Sequence, residues 1–474
     1  GYIGLILCVF LLAVSTCMWQ IQKNEVNLTT GNLFKKIFLV SLPFMFSGVL
    51  QLLYNAADLI VCGKFGSEHS VAAISATNSL INLIVQLFLG LSIGSCVCMA
   101  RAYGSKDADK GYRIVHTSIL LSLVLGVFLS LIGVFLSYPL LKMMKTPNDV
   151  IHLSRSYLVI YFLGLPFSML YNFGSSLLRA TGDTKRPFYY LAVAGIVNVV
   201  LNLFFVIVCH LDVAGVAIAT IIAQGISSIL VTRCLIKNKG FCHLNLSKLK
   251  IYKQEAFEII RVGLPAGVQS TIFSISNVMI QSSVNSLGTI VMDGNGASSS
   301  LENFIYTCMN SVAQTSVTFI SANVGAKNTK NIHHSVIYTA ILATLIGICM
   351  GSIFVLCGPF LLGIYMNNAQ AIAIGLDRFT VICLSYFLCG LMDVLSYSLR
   401  GIGFSILPTI VSLCGVCGIR IIWVFTFFQQ PALHNLKGLS LSYPISWMVT
   451  NIILLILYLT LKNKVFHQIN EKKL

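Results

Sequence analysis

The chain has 474 residues and a net charge of +16, yet only 10% of its residues are charged and 56% are hydrophobic. A soluble domain is nearer a quarter charged, so this composition describes a polytopic helical membrane protein. The apolar runs are continuous rather than alternating, which excludes a β-barrel. The basic excess falls in the connections between those runs and not on a soluble domain, which argues against a nucleic-acid partner.

Tyr2 to Trp19 is almost wholly apolar and lacks the basic start of a signal peptide. It reads as an upstream extension joined to a chain whose own start is Met18, with an extra span or an uncleaved leader as the other readings. Residues 1–31 are an N-terminal segment made of this leader and a polar stretch. Twelve apolar stretches of spanning length follow, at roughly 35–62, 71–103, 113–141, 152–181, 187–209, 213–236, 255–284, 287–324, 333–364, 370–401, 405–428 and 436–462. A Lys-rich polar connection at 237–254 separates a first half, 32–236, from a second, 255–462, and 463–474 form a tail.

The connections fix an expected orientation. The N-terminal segment, the loops after every second span and the C-terminus hold 24 of the 31 Lys and Arg residues. The opposite side holds Lys64, Lys142, Lys145, Arg155, Arg378 and Lys437, and Arg420 alone is left inside a span. By the positive-inside rule both termini are cytoplasmic, in a multi-pass protein of the cytoplasmic membrane.

The halves repeat. Ser41-Leu42-Pro43 answers Gly263-Leu264-Pro265, and Asn55 answers Asn277, both 222 residues on. Ala102 to Lys106 answers Asn323 to Lys327, and Leu178-Arg179-Ala180-Thr181-Gly182 with Pro187 answers Leu399-Arg400-Gly401-Ile402-Gly403 with Pro408, both 221 on. Six spans per half is an even number, so both halves enter from the same side. The expected fold is all-α, with twelve transmembrane helices in two parallel six-helix repeats around a central cleft, an architecture of secondary transporters.

Several motifs carry a resemblance to a known family. They are Asp58-Leu-Ile-Val-Cys-Gly63, Ala72-Ala-Ile-Ser75, Gly94-Ser95 leading to Ala100-Arg-Ala-Tyr-Gly104-Ser-Lys-Asp107, Leu178-Arg179 with Gly182-Asp183-Thr184 and Pro187, and Asn198-Val-Val-Leu-Asn202. Their order and spacing over residues 32–462 resemble the multidrug and toxic compound extrusion (MATE) transporters of bacteria. The resemblance implies a sodium- or proton-coupled antiporter that exports small organic cations by alternating access, works in the bilayer as a monomer and needs no cofactor. A flippase for lipid-linked saccharides of related two-half architecture is the alternative. It would favour a strongly cationic cleft, against which the single basic residue deep in a span weighs.

Acids within a membrane span are costly and mark ion or proton pathways. Of the 15 acidic residues only Asp58, Glu302 and Asp393 lie within spans. Asn198 and Asn202 are four apart and so share a helix face, and Thr220 lies in the next span. With Asp58 they would supply one carboxylate and three neutral oxygens to a hard cation, sodium if the coupling is to sodium. This set resembles the cation site of the family's N-terminal half, although Asn202 stands where some members carry Asp. Packing through interhelical hydrogen bonds is the competing reading for the asparagines, backbone bonding for Thr220 and a structural carboxylate pair for Asp58. Gln51, Tyr54, Asn55, Gln269, Asn277, Gln281, Glu302 and Asp393 are candidates to line a substrate cleft. Glu302 and Asp393 are also open to a structural reading, as capping or loop-facing acids or as a packed pair with Arg420. No nucleophile–base set suggests an enzyme. The 15 cysteines are scattered through apolar runs, as in Cys96/Cys98 and Cys414/Cys417, with neither a metal nor a disulfide framework.

Overall fold

The structure, a computed structural model, describes residues 26–67, 69–144 and 146–471. The apolar stretch from Tyr2 to Trp19 lies outside the described residues. Within them the chain is helical almost throughout, and no strand occurs. Continuous runs of Leu, Ile, Val and Phe favour this outcome in lipid, because a helix satisfies every backbone N–H and C=O inside its own segment.

The first half contains α1 (Leu33–Phe65), α2 (Ser70–Ser105), α3 (Ala108–Met143), α4 (Asn148–Leu163), α5 (Leu165–Ala180), α6 (Lys185–Leu203) and α7 (Asp212–Lys237). The second contains α8 (Lys253–Asn285), α9 (Thr289–Gly325), α10 (Thr329–Leu356), α11 (Gly358–Tyr365), α12 (Ala369–Ile402), α13 (Ile406–Ser412), α14 (Ile419–Phe425), α15 (Leu436–Ser440) and α16 (Ser442–Asn470). Short π-type turns, Phe204–Val208 and Leu413–Gly418, extend α6 and join α13 to α14.

Among the described residues nine helical spans are long and apolar enough to cross a membrane, and the bent pair α4–α5 makes a tenth. The other two expected spans are α8 and α9, with 33 and 37 residues. They are long enough, at ~1.5 Å per residue, to cross a ~30 Å hydrocarbon layer, but polar residues such as Gln269, Gln281, Glu302 and Asn310 dilute their hydropathy. The fourth span is bent by 45° at Gly164. The ninth breaks at Cys357 before α11, and the last helix runs on to Asn470, well past the expected end at residue 462.

The repeat is written in the backbone as well as in the sequence. Lys106 and Lys327 both adopt left-handed conformations, φ 59° and 56°, and are 221 residues apart. In each half the next residue caps the following helix: Asp107 accepts from the Lys110 N–H and Asn328 from the Asn331 N–H, at 2.9 and 3.0 Å. Gly182 and Gly403, likewise 221 apart, end the α5 and α12 runs with φ 85° and 116°, values an L side chain rarely adopts.

Two compact units emerge, Phe46–Ile260 and Leu28–Met45 with Arg261 onward. The divisions fall inside α1 and α8, the first helix of each half, near Pro43 and Pro265. In the first unit the core gathers Val61, Ile74, Tyr157, Phe162 and Val216 from α1, α2, α4 and α7. The polar connection after α7 is tied to α3, where Arg113 pairs with Glu255 at 2.6 Å and the Tyr252 N–H donates to Thr117 Oγ1 at 3.1 Å. In the second unit the core runs through Ile305, Phe379, Met392, Trp447 and Leu454 of α9, α12 and α16. Its opening segment is fixed there as well, since Asn323 and Asn331 donate through Nδ2 to the carbonyls of Leu28 and Thr29.

Candidate functional site

Three helices of the first unit bring the proposed cation ligands together. Asp58 is on α1, Asn198 and Asn202 one turn apart on α6, and Thr220 on α7. Asn202 Nδ2 donates both to Asp58 Oδ1 and, at 3.2 Å, to Asn198 Oδ1. Asn198 Nδ2 donates to Thr220 Oγ1 at 3.2 Å, and that hydroxyl donates to the Val216 carbonyl at 2.9 Å. The result is a continuous polar line through an otherwise apolar interior. Asp58, Asn198 and Asn202 are buried, with 8%, 5% and 0% exposure.

The line contains one charge and one orphan. No Lys, Arg or His among the described residues forms an ion pair with Asp58. The Asn202 Oδ1 atom is buried without a hydrogen-bond partner. A buried acceptor left unpaired costs free energy unless something supplies positive charge or a donor to it. A carboxylate, a free amide oxygen, a second amide oxygen and a hydroxyl oxygen are the donors a hard cation uses. Among the described residues no cluster of three His, Cys, Asp or Glu side chains could hold a metal ion, so Asp58 stands as the single acid of this group.

Tyr157, Tyr161 and Gln224, beside this line, are not among the candidates the sequence offered, whereas Tyr54 is. The phenols of Tyr157 and Tyr161 on α4 lie near Asp58, and that of Tyr161 lies near Gln224 of α7. The Tyr157/Tyr161 pair, four apart on one helix face, was the signal available in the sequence. Tyr54 lies one turn before Asp58, and its hydroxyl is 3.4 Å from the carbonyls of Leu191 and Ala192. Its ring fills the space where a Cβ on Gly195 would stand only 1.6 Å from Cζ, so only glycine fits there.

The second unit places its acids differently. Glu302 of α9 is not paired with Arg420. It forms a bidentate pair with Arg378 of α12, Nε–Oε1 2.9 Å and Nη2–Oε2 2.7 Å. Arg378 Nη1 also donates to Asn295 Oδ1 at 2.9 Å, and Asn295 Nδ2 to Gln281 Oε1 at 3.1 Å. Both partners are buried, so Arg378 is an interior residue and not a loop charge, and Arg420 is not the only basic residue deep in a span. The spacing did not reveal this pairing because Arg378 lies only nine residues into α12, where a helix end and a buried position look alike in sequence.

Asp393 forms no ion pair among the described residues. It accepts from Asn310 Nδ2 at 3.1 Å, and Asn310 Oδ1 accepts from Gln314 Nε2 at 2.7 Å. Asn310 and Gln314 are four apart on α9, a pattern as visible in the sequence as Asn198/Asn202. Gln269 is occupied by Arg400, whose Nη2 donates to its Oε1 at 2.6 Å. Gln281 is bonded to both Asn285 and Asn295. Gln51, Asn55 and Asn277 are exposed. Within the second unit, Gln281 is linked through Asn295 to the Arg378–Glu302 pair, whereas Gln269 and Asp393 are bonded to other partners.

The same chain matches the MatE family model twice, over residues 43–204 and 265–426, the second match beginning and ending 222 residues after the first. A probable multidrug resistance protein of Bacillus subtilis, YoeA, is 26% identical over 90% of this chain and 93% of its own. The multidrug export protein MepA of Staphylococcus saprophyticus is 24% identical over 87% and 90%. An FAD transporter of Shewanella oneidensis is 24% identical over 64% of this chain and 68% of its own. Among solved structures, a MATE transporter captured in a bent conformation superimposes with a TM-score of 0.88 over 95% of this chain and all of that one, at 20% identity.

Proposed function

Since the chain belongs to the MatE family of multi-pass membrane transporters, we propose that it is an antiporter that exports organic, mainly cationic, compounds in exchange for sodium ions or protons. The observation that carries this reading is the polar line from Asp58 to Thr220, with one charge and the unpartnered Asn202 Oδ1. The names of the multidrug relatives agree with it.

The geometry suggests how one acid serves two states. Without a coupling ion, the Asn202 amide donates to Asp58 and partly neutralises it. Rotation of that amide about its last side-chain bond turns Oδ1 toward the carboxylate and carries the donor away. Asp58, Asn202, Asn198 and Thr220 then present oxygens to one cation. A proton on Asp58 would likewise remove the need for the Asn202 donor. Either event changes the bonding between α1, α6 and α7 and so their packing. A site loaded this way weakens the hold on substrate, and linkage requires that substrate weaken cation binding by the same factor. With both termini cytoplasmic, as the loop charges indicate, the membrane potential drives cation entry by about 2.3 kcal/mol per charge per 100 mV. Asp393, held by the neutral Asn310, is the second-half acid best placed to attract a cationic substrate. The unit that carries out this cycle is a monomer in the cytoplasmic membrane.

The test is ethidium efflux from vesicles under imposed sodium or pH gradients. The wild-type chain should couple efflux to one of them, and Asp58→Asn should abolish the coupling. Normal gradient-driven efflux in Asp58→Asn would refute the role given to Asp58. Absence of efflux for any organic cation would refute the substrate class.

A further inference from the structure

The repeat lets each first-half ligand be followed to its counterpart in the second half. Ile280 lies 222 residues after Asp58, Ile419 and Trp423 lie 221 after Asn198 and Asn202, and Tyr443 lies 223 after Thr220. The last register is set by Gly215 and Gly438, which open matching Gly-Val-Ala-Ile-Ala-Thr and Gly-Leu-Ser-Leu-Ser-Tyr runs. At 221 or 222 residues after Asn198 and Asn202 stand Ile419 or Arg420 and Trp423 or Val424, so neither the carboxylate nor the two amides have a like counterpart in the second half. What the second half has gained at this place is a cation, Arg420.

Arg420 is 5% exposed. Its Nε donates to Ser446 Oγ at 3.2 Å, and its guanidinium carbon sits 3.9 Å from the centre of the Tyr443 ring and 5.7 Å from that of Trp447. Among the described residues it forms no ion pair and its Nη groups have no hydrogen-bond partner. The acids of this unit's interior are engaged elsewhere, Glu302 by Arg378 and Asp393 by Asn310. Arg420 also lines a cavity of about 240 Å³ together with Ser276, Ser282, Ser283, Ile280, Val424 and Phe425. A buried guanidinium facing a cavity, with ring faces beneath it and no counter-charge, lacks the anion that burial of a cation normally requires.

We infer that this cavity binds the carboxylate or phosphate head of an anionic amphiphile, with Arg420 as its counter-ion and the apolar walls of α8 and α14 against its chain. The planar fork of Arg420 suits either oxyanion, and Ser282 and Ser283 add hydroxyl side chains to the lining. The rest of the lining, Met279, Ile280, Ile421, Val424 and Phe425, is apolar, which is why the ligand carries an apolar part. The inference stands apart from the coupling role of Asp58, because no first-half residue takes part in it. The same chemistry is offered by an anionic lipid of the bilayer and by an anionic amphiphile carried as cargo.

Trp447, beside Arg420, gives a direct readout. The purified full chain in neutral detergent is titrated with dodecyl phosphate and, separately, with dodecyltrimethylammonium, following tryptophan emission. Dodecyl phosphate should bind saturably to the wild type and at least tenfold more weakly to Arg420→Gln. Ser276→Phe, which fills the cavity but keeps the arginine, should weaken it comparably, and Arg420→Lys should fall between. Dodecyltrimethylammonium should show no Arg420-dependent binding. Size-exclusion profile and melting temperature establish that each variant is folded. Should Arg420→Gln fail to fold, Ser276→Phe decides. Unchanged dodecyl phosphate binding in whichever folded variant is compared overturns the inference. Two further measurements separate the sources. Native mass spectrometry showing an anionic lipid retained by the wild type and lost from Arg420→Gln assigns the lipid. Arg420-dependent transport of carboxyfluorescein in vesicles, without a retained lipid, assigns a transported anion. Absence of any Arg420 dependence in both overturns the site.

Discussion

Replacing Glu302 by Gln keeps the side-chain shape and removes the charge that faces Arg378. The pair is bidentate at 2.9 and 2.7 Å, and the two side chains are only 6% and 4% exposed. Removing one partner of such a pair strands a charge and costs ~3–5 kcal/mol. Arg378 retains Asn295 at 2.9 Å and the face of Tyr443 at 5.3 Å. Those contacts offset ~1–2 kcal/mol, so a loss near the lower end, ~3 kcal/mol, is expected. Glu302→Gln combined with Arg378→Met removes both charges from the same interior, and buried pairs replaced by apolar groups of similar size are near neutral. The double variant should therefore recover at least ~2 kcal/mol of the single-variant loss. The assay is reversible unfolding of the four members of the cycle in mixed micelles, read by helix content. A double variant as unstable as the sum of the singles would refute the pair as an energetic unit. Retained ethidium efflux in a stable double variant would also remove Glu302 from the candidates for substrate attraction.

Other substitutions test the first-half line and its setting. Gly195→Ala should destabilise by ~1–3 kcal/mol because its Cβ would stand 1.6 Å from Tyr54 Cζ, whereas Gly225→Ala, with no atom within 4 Å of the new Cβ, should be neutral or stabilising; thermal unfolding of the two side by side checks this. Asn202→Ala removes both the donor to Asp58 and the orphan oxygen, and should weaken sodium- or proton-driven efflux ~10-fold or more, measured as initial rates in vesicles. Asn202→Asp places a second carboxylate beside Asp58, so sodium should raise the melting temperature of this variant more than that of the wild type; an equal rise would show that position 202 does not face the ion. Asn310→Ala strips Asp393 of its neutral donor and should cost ~1–3 kcal/mol in stability, with loss of affinity for cationic dyes if Asp393 meets the substrate.

The class, the helices and the repeat were legible in the chain, for reasons that are local. Apolar runs in lipid can only close their hydrogen bonds as helices. The repeat anchors recur as the same left-handed lysines, Lys106 and Lys327, and the same helix-ending glycines, Gly182 and Gly403, because these backbone features depend on a few adjacent residues. The i,i+4 spacing of Asn198 and Asn202 likewise placed both on one face, the cost of an acid within a span singled out Asp58, and the resemblance grouped these three with Thr220. Partners from distant helices were another matter. Whether Glu302 met Arg420 or Arg378 depended on which faces of α9, α12 and α14 turn toward each other, and no periodicity within one helix contains that. The same holds for Gln269, taken by Arg400, and for Asp393, held by Asn310. Only the tertiary structure could put the Asn202 oxygen out of reach of any donor and leave Arg420 beside a cavity without a carboxylate. For Asp58 and Arg420 alike, the decisive fact is which atoms fail to find a partner, and that is a property of packing among helices far apart in the chain.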